Sequence, residues 1–444
     1  MAAAIVLLTR DLRVHDQPAL AAACRAGRQV PLFVLDPALL GGLHASPNRA
    51  AFLIECLADL DSSLRRMGGG LVLRRGDPVA EAMRVANAVG AAEIHLSADA
   101  GTHAAHRRIR LAEACSRAGL KLALHRGVAV VPPAELTPSG GDHFRVFTPC
   151  WRRWRAALWR PPVPVPGRMR LPDGIAPGRR PGPGDAVPGP RSPRLPRGGE
   201  TEGRHLLNRW LRRDLPAYGD AHDDLPGDRT SRLSPYLHFG CVSPLEVALR
   251  TAGRQGGESF LRQLCWRDFH LQVLAARPDL TRRDYRSRGR HWKDDPDLLQ
   301  AWSEGRTGVP VVDAGMRQLR REGRIHNRAR LLVASFLVRE LGIDWRRGAA
   351  HFFEWLVDGD VANNAGNWQW VAGTGNDTRP NRSFNHLRQA LRFDPAGDYV
   401  RRYVPELRGI PGAAVHRPWA LPAAERERIG YPDPIGPGAR SGRS

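Results

Sequence analysis

The segment at residues 358–370, with the sequence DGDVANNAGNWQW, concentrates polar groups that could do chemistry. Asp358 and Asp360 lie two positions apart, and three asparagines and two tryptophans follow within the same stretch. The apolar residues follow neither a helical nor a strand repeat cleanly. A buried carboxylate is costly without a partner, so this spacing predicts that the two acids hold a partner or a ligand.

Two further segments carry residues that could bind a ligand. TSRLSP, at residues 230–235, places hydroxyls and one arginine before an apolar helical pattern. Such a run suits a phosphate or pyrophosphate, but it is also typical of an ordinary helix N-terminus. CWRDFH, at residues 265–270, sets Trp266 beside Arg267. That arrangement is equally typical of a buried aromatic residue next to a surface ion pair.

A third segment, RIHNRARLLVASFLV at residues 324–338, has a helical pattern. Asn327 and Arg330 are three positions apart and therefore lie on one face of the predicted helix. A polar pair on such a face is usually solvated. Here a long apolar run follows it, which favours a position facing a cofactor.

Short apolar runs alternate with helical patterns in the first 130 residues. They predict β-strands at residues 5–8, 30–36, 70–75, 93–97 and 120–124. The segments between them, such as residues 48–67, have helical spacing. This alternation predicts an α/β domain with a parallel five-stranded sheet and helices on both faces. The sequence has no GxGxxG dinucleotide fingerprint.

The sequence predicts three regions. Residues 1–130 form the α/β domain. Residues 131–202 form an inter-domain connector, because its proline-rich, glycine-rich and arginine-rich composition cannot pack a core. Residues 203–444 have a helical pattern with short breaks and predict an all-α domain, and all twelve tryptophans lie after residue 150.

The chain is strongly basic, with 67 Lys and Arg against 45 Asp and Glu and a formal charge of +22. Nearly all of the excess is arginine, which makes planar contacts with phosphate. This balance predicts a polyanionic partner such as nucleic acid. The alternative is genomic base composition, which can enrich Arg, Ala, Gly and Pro together.

The compartment and assembly are predicted mainly from what the sequence lacks. The apolar run at the start is too short for a signal peptide or a membrane span, and no later run is long enough. The six cysteines are spread without a CxxC pair, which favours a reducing compartment and argues against a zinc site. We therefore expect a cytoplasmic monomer with no metal and no membrane partner.

Six segments, in this order, resemble motifs of the photolyase/cryptochrome flavoprotein family: TRDLRVHDQPAL, TSRLSPYLHFGCVSP, LCWRDFH, TGVPVVDAGMRQL, NRARLLVASFL and DGDVANNAGNWQW. The resemblance covers nearly the whole chain and is strongest to class I photolyases that act on cyclobutane pyrimidine dimers. It implies an α/β N-terminal domain and an all-α C-terminal domain. The latter would hold FAD, folded back on itself, beneath a basic face that docks DNA.

The resemblance also implies which residues bind the cofactor. Asp358 and Arg330 would form an ion pair along the edge of the flavin ring. Asp360 would bind the polar edge of the ring, and Asn364 would face its N5 atom, where protein groups tune the flavin. The other implied cofactor-binding residues are Tyr218, Thr230, Ser231, Arg232, Leu233, Ser234, Gln263, Arg267, Asn327 and Gly359.

Two sets of tryptophans have implied roles. Trp368, Trp345 and Trp292 match a chain that carries electrons between flavin and surface, although buried tryptophans are more often core residues. Trp266 and Trp370 match positions that stack on a flipped-out lesion and offset its unstacking. The other implied DNA contacts are Gln263, Asn327, Arg328, Arg379 and Arg382.

The sequence departs from the family pattern at several positions. Gln263 stands where enzymes acting on cyclobutane dimers usually have Glu, and a glutamine cannot give up a proton. Arg324 stands where Trp is common, and Leu331 stands where Met is common. The segment NDTRPNRSFNH, at residues 376–386, replaces a more aromatic loop. These departures concern repair efficiency and lesion preference more than flavin binding.

The lesion is predicted from two positions. Enzymes that repair the (6-4) photoproduct have two histidines for proton transfer where this sequence has Asn327 and Leu331, neither of which is a useful acid or base. Gln263 does resemble the (6-4) branch. We weigh the missing histidines more heavily, because their absence removes the proton transfer that repair of a (6-4) photoproduct requires. The sequence therefore favours cyclobutane dimers.

The antenna chromophore stays open at this stage. Ala105 and His106 align with the Asn–Glu pair that holds folate in some relatives, while His44 matches a folate-contacting histidine. Methenyltetrahydrofolate, 8-hydroxy-5-deazaflavin and no antenna are all compatible with the sequence.

The predicted function is that of a deoxyribodipyrimidine photo-lyase, which repairs cyclobutane dimers in UV-damaged DNA by light-driven electron transfer from reduced FAD. One alternative is a blue-light-sensing cryptochrome without repair activity. Another is a basic DNA-binding relative that has lost catalysis. Sensors often carry a long C-terminal tail, and only about thirty residues follow the last matching segment at 393–412, which favours the enzyme.

Overall fold

The N-terminal region is built on one parallel sheet. The computed structural model describes residues 3–42, 45–182, 187–376 and 384–436. The strands are β1 (Ala3–Leu8), β2 (Arg28–Leu35), β3 (Val72–Arg75), β4 (Ala91–Ser97) and β5 (Lys121–His125). Their order is β3-β2-β1-β4-β5, and every neighbouring pair is parallel. The predicted five-stranded parallel sheet is confirmed.

The helices of this region connect the strands. They are α1 (Pro18–Ala23), α2 (Pro37–Leu40), α3 (Pro47–Arg66), α4 (Pro78–Ala88) and α5 (Thr102–Arg117). The fully buried central strand β1 has side chains in two separate apolar cores, with Ile5 in one and Val6 in the other. Burial on both faces is the reason why this strand reads as a continuous apolar run.

The remaining helices follow the sheet in the chain. They are α6 (Phe147–Ala156), α7 (Glu200–Arg213), α8 (Tyr218–Ala221), α9 (Ser234–His238), α10 (Pro244–Thr251), α11 (Gly257–Ala276), α12 (Pro296–Glu304), α13 (Pro310–Glu322), α14 (Asn327–Ser335), α15 (Trp345–Trp355), α16 (Val361–Ala372), α17 (His386–Phe393), α18 (Asp398–Tyr403) and α19 (Ala423–Ile429). A π-helical turn, Phe336–Glu340, extends α14. The helix-rich C-terminal region agrees with the prediction.

The proline-rich segment lies against the α/β region. Met169 is buried, its backbone N–H donates to the carbonyl of Met67, and the amide of Leu73 in β3 donates to the carbonyl of Pro177. Helix α6 lies within the predicted connector of residues 131–202 and buries Trp151 and Trp154 in the larger apolar core, so this part of the connector does pack against a core. The amide of Arg194 donates to the carbonyl of Arg321 in α13 at 2.9 Å, so the segment contacts both regions of the molecule.

The segment that opened the sequence analysis is more regular than its pattern suggested. Residues Val361–Ala372 form helix α16, which the absence of a clean periodicity did not predict. Asp360 caps its N-terminus by accepting a hydrogen bond from the amide of Asn363 at 2.9 Å. Gly373, with φ of 80°, ends the helix in the left-handed conformation that suits glycine.

Candidate functional site

The two acids follow helix α15, whose C-terminal end is held by side chains from the α/β region. Ser46 Oγ donates to the carbonyl of Glu354 at 2.7 Å, and Asn48 Nδ2 donates to that of Trp355 at 2.6 Å. Arg49 Nη1 donates to a further carbonyl, that of Leu356, at 2.8 Å. Carbonyls at a helix C-terminus lack partners within the helix. These bonds therefore fix the start of the segment that carries Asp358 and Asp360.

Asp360 is held by the positive charge of Arg10, which lies in the turn after β1. Arg10 Nη2 donates to Asp360 Oδ2 at 2.6 Å, and Arg10 Nη1 lies 3.4 Å from Asp99 Oδ2. Burial alone would raise the pKa of Asp360, but the positive charges of Arg10 and Arg267 hold that pKa well below its usual range. The carboxylate is therefore an anion that the α/β region positions.

Asp358 has the partner that the resemblance implied. Arg330 Nη2 lies 3.4 Å from both carboxylate oxygens of Asp358. The guanidinium of Arg330 also lies 5.9 Å from the ring centroid of Phe352. Both side chains are largely buried, and the pair joins α14 to the segment before α16.

Asn364 offers an unused acceptor in a buried position. Its Nδ2 donates to the carbonyl of Ala349 at 2.9 Å, which fixes the side chain. Its Oδ1 is buried and has no hydrogen-bond partner among the described residues. A buried acceptor without a partner is unfavourable, so this oxygen predicts a ligand that donates a hydrogen bond.

The TSRLSP segment is ordered around one buried acid. Asp228 accepts from Thr230 Oγ1 at 3.1 Å and from Arg232 Nη2 at 2.7 Å. Arg324 also pairs with Asp228, and its Nη2 lies 3.2 Å from Glu322. Arg232 has a φ of 53°, unusual for a residue with a side chain. Arg324, one of the departures, therefore supplies charge to the network that shapes this segment.

Helix α11 presents Gln263 and Trp266 on one face. Gln263 is exposed and Trp266 is partly exposed. Phe147 of α6 stacks on Trp266 with ring centroids 3.9 Å apart and an interplanar angle of 1°. Arg267 is instead directed inward, where its Nη1 donates to the carbonyl of Val128 at 2.7 Å.

Two tryptophans of the predicted chain are buried, and the third is nearer the surface. Trp368 and Trp345 are 2% and 0% exposed, whereas Trp292 is partly exposed. A Cβ on Gly348 would lie only 2.2 Å from the ring of Trp368, so the glycine lets this ring reach the helix that carries Trp345. The amide of Lys293, next to Trp292, donates to the carbonyl of Gly342 at 2.8 Å, close to the start of that helix.

Two family models match the regions that carry these residues. A family model described as DNA photolyase matches residues 4–167, and one described as the FAD binding domain of DNA photolyase matches residues 260–440. The chain belongs to the DNA photolyase family.

Individual photolyase-family members are similar over almost their whole length. The deoxyribodipyrimidine photo-lyase of Streptomyces griseus is 52% identical, over 98% of this chain and 96% of its own. Cryptochrome DASH of Xenopus laevis is 35% identical, over 97% of this chain and 89% of its own.

Solved photolyase-family structures share the fold. A bacterial class III photolyase from Agrobacterium tumefaciens is 32% identical with a TM-score of 0.91, covering 99% of this chain and 96% of that one. An archaeal photolyase from Sulfolobus tokodaii, solved with two FAD molecules, is 31% identical with a TM-score of 0.86, covering 98% and 97%.

The cofactor of the photolyase family is FAD, and the donor set fits it. The unused oxygen of Asn364 can accept from the N5–H of a reduced flavin ring, which is the role that the resemblance implied. Tyr218, also implied as a cofactor contact, is buried against Trp210 and Phe260. Gly359 is buried, and a Cβ there would meet Arg49 Nη1 at 2.6 Å, so it provides room for that arginine.

The implied DNA contacts are less uniform. Asn327 is exposed at the start of α14, and Trp370 is partly buried. Arg328 is paired with Asp223, and its guanidinium lies 4.4 Å from the ring of Phe393. It is therefore less available to a phosphate than the sequence suggested. Arg379 and Arg382 lie outside the described residues.

Sequence reasoning missed the residues of the α/β region that hold the site. Arg10 lies 350 positions from Asp360, so no local pattern could connect them. The only signal was that Arg10 belongs to the TRDLRVHDQPAL motif. His238, whose Nδ1 lies 4.0 Å from Asp360, was also missed.

A cavity of about 910 Å³ lies between the α/β and helical regions, beside Asp360. Phe33, Leu39, Leu271 and Leu274 are among its apolar lining residues. Charged residues in the lining include Arg10, Asp36, Arg49, Asp99 and Arg107. His106 also lines it, whereas His44 lies outside the described residues. Among the described helices, none is both long and apolar enough to cross a membrane.

Proposed function

We propose that this protein repairs cyclobutane pyrimidine dimers in DNA with light. The observation that carries the proposal is the 52% identity to a deoxyribodipyrimidine photo-lyase over 98% of the chain. It is supported by the exposed Gln263 and the partly exposed Trp266 on α11 and by the buried, unpaired oxygen of Asn364. When bound and fully reduced, FAD supplies one electron to the lesion under illumination.

The residues of this chain have separate tasks in that reaction. The Arg330–Asp358 pair and the Asp360 anion provide fixed charges along the ring, while Asn364 accepts a hydrogen bond without adding charge. Trp266 offers one face to a flipped base, because Phe147 covers the other. Gln263 can donate an amide hydrogen bond to a pyrimidine carbonyl.

The lesion specificity should be for cyclobutane dimers, with Gln263→Glu raising repair efficiency. A carboxyl group at this exposed position can hydrogen-bond the lesion and stabilise its reduced form, which an amide does less well. We expect a several-fold gain, on the order of that given by one charge-assisted hydrogen bond. The measurement is light-dependent repair of an oligonucleotide with one defined lesion, by chemically reduced protein.

Gln263→Asn is the matched control, since it keeps the amide but shortens its reach, and it should lower repair. Wild-type protein should leave a (6-4) photoproduct unrepaired. Repair of the (6-4) lesion but not of the dimer would overturn the assignment. Repair of neither lesion, with FAD bound and reduced, would instead favour the cryptochrome alternative.

DNA affinity should fall steeply with salt, because arginines that contact phosphates release counterions. Arg382→Ala should weaken binding to damaged and undamaged duplexes alike, as loss of a phosphate contact does. The slope of log affinity against log salt should change by about one unit. Arg117→Ala, an exposed change at the end of α5 in the α/β region, is the control. An affinity that is constant across the salt series would contradict a phosphate-binding face.

We also propose that the cavity beside Asp360 holds a second, light-harvesting chromophore with a fused-ring system of the flavin or deazaflavin type. Its volume of about 910 Å³ and its apolar walls suit such a ring. Its arginines suit an acidic tail. Ala105 and His106 lack the amide and carboxylate that hold folate in some relatives. Mass spectrometry of the pigments released on denaturation should find such a compound beside FAD, and a folate would contradict this choice.

A further inference from the structure

Trp345, the middle tryptophan of the predicted chain, has a charged partner. It is fully buried at the start of α15. Its Nε1 donates to Asp284 Oδ1 at 2.9 Å. Trp302, an equally buried tryptophan that contacts Trp368, donates instead to the neutral carbonyl of Val333 at 2.9 Å. The indole N–H of Trp345 therefore contacts a carboxylate, whereas that of Trp302 contacts a neutral carbonyl.

Arg346 holds this carboxylate in place. Its Nη2 donates to the same oxygen of Asp284 at 2.8 Å. Its guanidinium also lies 4.7 Å from the ring centroid of Trp345. A second acid, Asp344, lies 3.1 Å from Arg346 Nη1 and shares its charge. The indole is thus placed between one anion that contacts its N–H and one cation near its ring.

The two charges have opposite effects on oxidation of the indole. Loss of an electron makes Trp345 a cation, which Asp284 stabilises and Arg346 destabilises. The anion should dominate, because Asp284 contacts the indole directly and is 17% exposed against 33% for Arg346. Part of the positive charge of Arg346 is also neutralised by Asp344.

We propose that Asp284 is a positioning residue that makes Trp345 easier to oxidise than Trp368, so that the oxidised site moves outward instead of recombining. This rests on the proposed function and on its tryptophan chain. When FAD is bound, oxidised and photoexcited, it would take one electron from Trp368, and one electron would then pass from neutral Trp345 to the oxidised Trp368. Trp368 becomes neutral and Trp345 becomes the radical cation. The Nε1 proton stays in its hydrogen bond with Asp284.

Flash photolysis of the FAD-loaded, oxidised protein tests this proposal through the yield of long-lived tryptophanyl radical. Asp284→Asn keeps a hydrogen-bond acceptor but removes the charge and leaves Arg346 less compensated. The yield should fall by about tenfold, as expected for the loss of a close charge in a partly buried site. Arg346→Gln should not lower it, and Asp284→Glu should restore most of it.

The signs of these effects separate a charge effect from damage to the fold, because both Asp284→Asn and Arg346→Gln break the same ion pair. Equal losses in the two variants would overturn the proposal, and so would an unchanged yield in Asp284→Asn. If Asp284→Asn fails to retain FAD, the test is made with Arg346→Gln. A tenfold loss of radical yield in that variant overturns the proposal. Trp345→Phe must abolish the long-lived radical. This test measures radical yield and not repair. A failure of the proposed repair function would therefore appear only in the repair assay.

Discussion

Replacing Trp368 by Phe should slow the light-driven reduction of bound, oxidised FAD at least about tenfold. Phenylalanine is much harder to oxidise than indole, and Trp368 is the innermost member of the predicted chain. The substitution should be tolerated, since the ring at this position contacts Phe352 and Trp302 edge-on in a buried apolar cluster. Bleaching of the oxidised flavin band under blue light, with a thiol reductant present, measures the rate.

Trp302→Phe is the matched control, because Trp302 is as buried as Trp368 and belongs to the same cluster. It should lose similar packing but retain most of the photoreduction rate. Repair by chemically reduced Trp368→Phe protein should stay largely intact, since that electron starts on the flavin. A Trp368→Phe protein that photoreduces at the normal rate would falsify the assigned chain.

The sequence was most informative where a residue's surroundings follow from its near neighbours. The central strands β1 and β2 were found because both faces of the sheet are covered there, so each contains a short apolar run. Helix α16 was missed for a related reason. It buries Ala362, Ala365, Trp368 and Ala372 together with the polar Asn364 and Gln369, so no single apolar stripe remains.

Partners that are distant in sequence could not be found in this way. The ion pair between Arg330 and Asp358 was implied only by resemblance, and the structure contains it. The pairing of Arg328 with Asp223 was not foreseen, and it leaves that arginine less available to a DNA phosphate. Charge alone does not say whether an arginine faces solvent or an acid.

The effect of the departure at Arg324 depends on Asp228, an acid that is distant in sequence but contacts it in the fold. A tryptophan at this position would leave Asp228 with one fewer cation, and this acid is buried beneath the TSRLSP segment. Burial alone would raise the pKa of Asp228, but Arg324 and Arg232 hold that pKa below its usual range. Arg324 therefore serves to neutralise the buried carboxylate of Asp228.

Asp360→Asn should have the largest effect on stability, lowering the free energy of unfolding by about 3 kcal/mol. An amide can still cap α16, so the helix should survive. The loss comes from Arg10, which is largely buried and would keep one nearby carboxylate, Asp99 at 3.4 Å, and the neutral carbonyl of His238. Asp99→Asn is the matched control. It removes the same charge from the same arginine but leaves the 2.6 Å contact, so its cost should be smaller. Urea unfolding of the FAD-loaded proteins measures both.

The dependence of this deficit on pH tests its electrostatic origin. The pKa of Asp360 is held well below its usual range in the folded protein, so the carboxylate stabilises the fold fully above the pKa of an unfolded Asp, about 4. The difference between wild type and Asp360→Asn should therefore be constant from about pH 5 to pH 8 and shrink as the pH falls below about 4. A deficit that persists unchanged in acid would point to lost packing at the helix N-terminus and not to the Arg10–Asp360 pair.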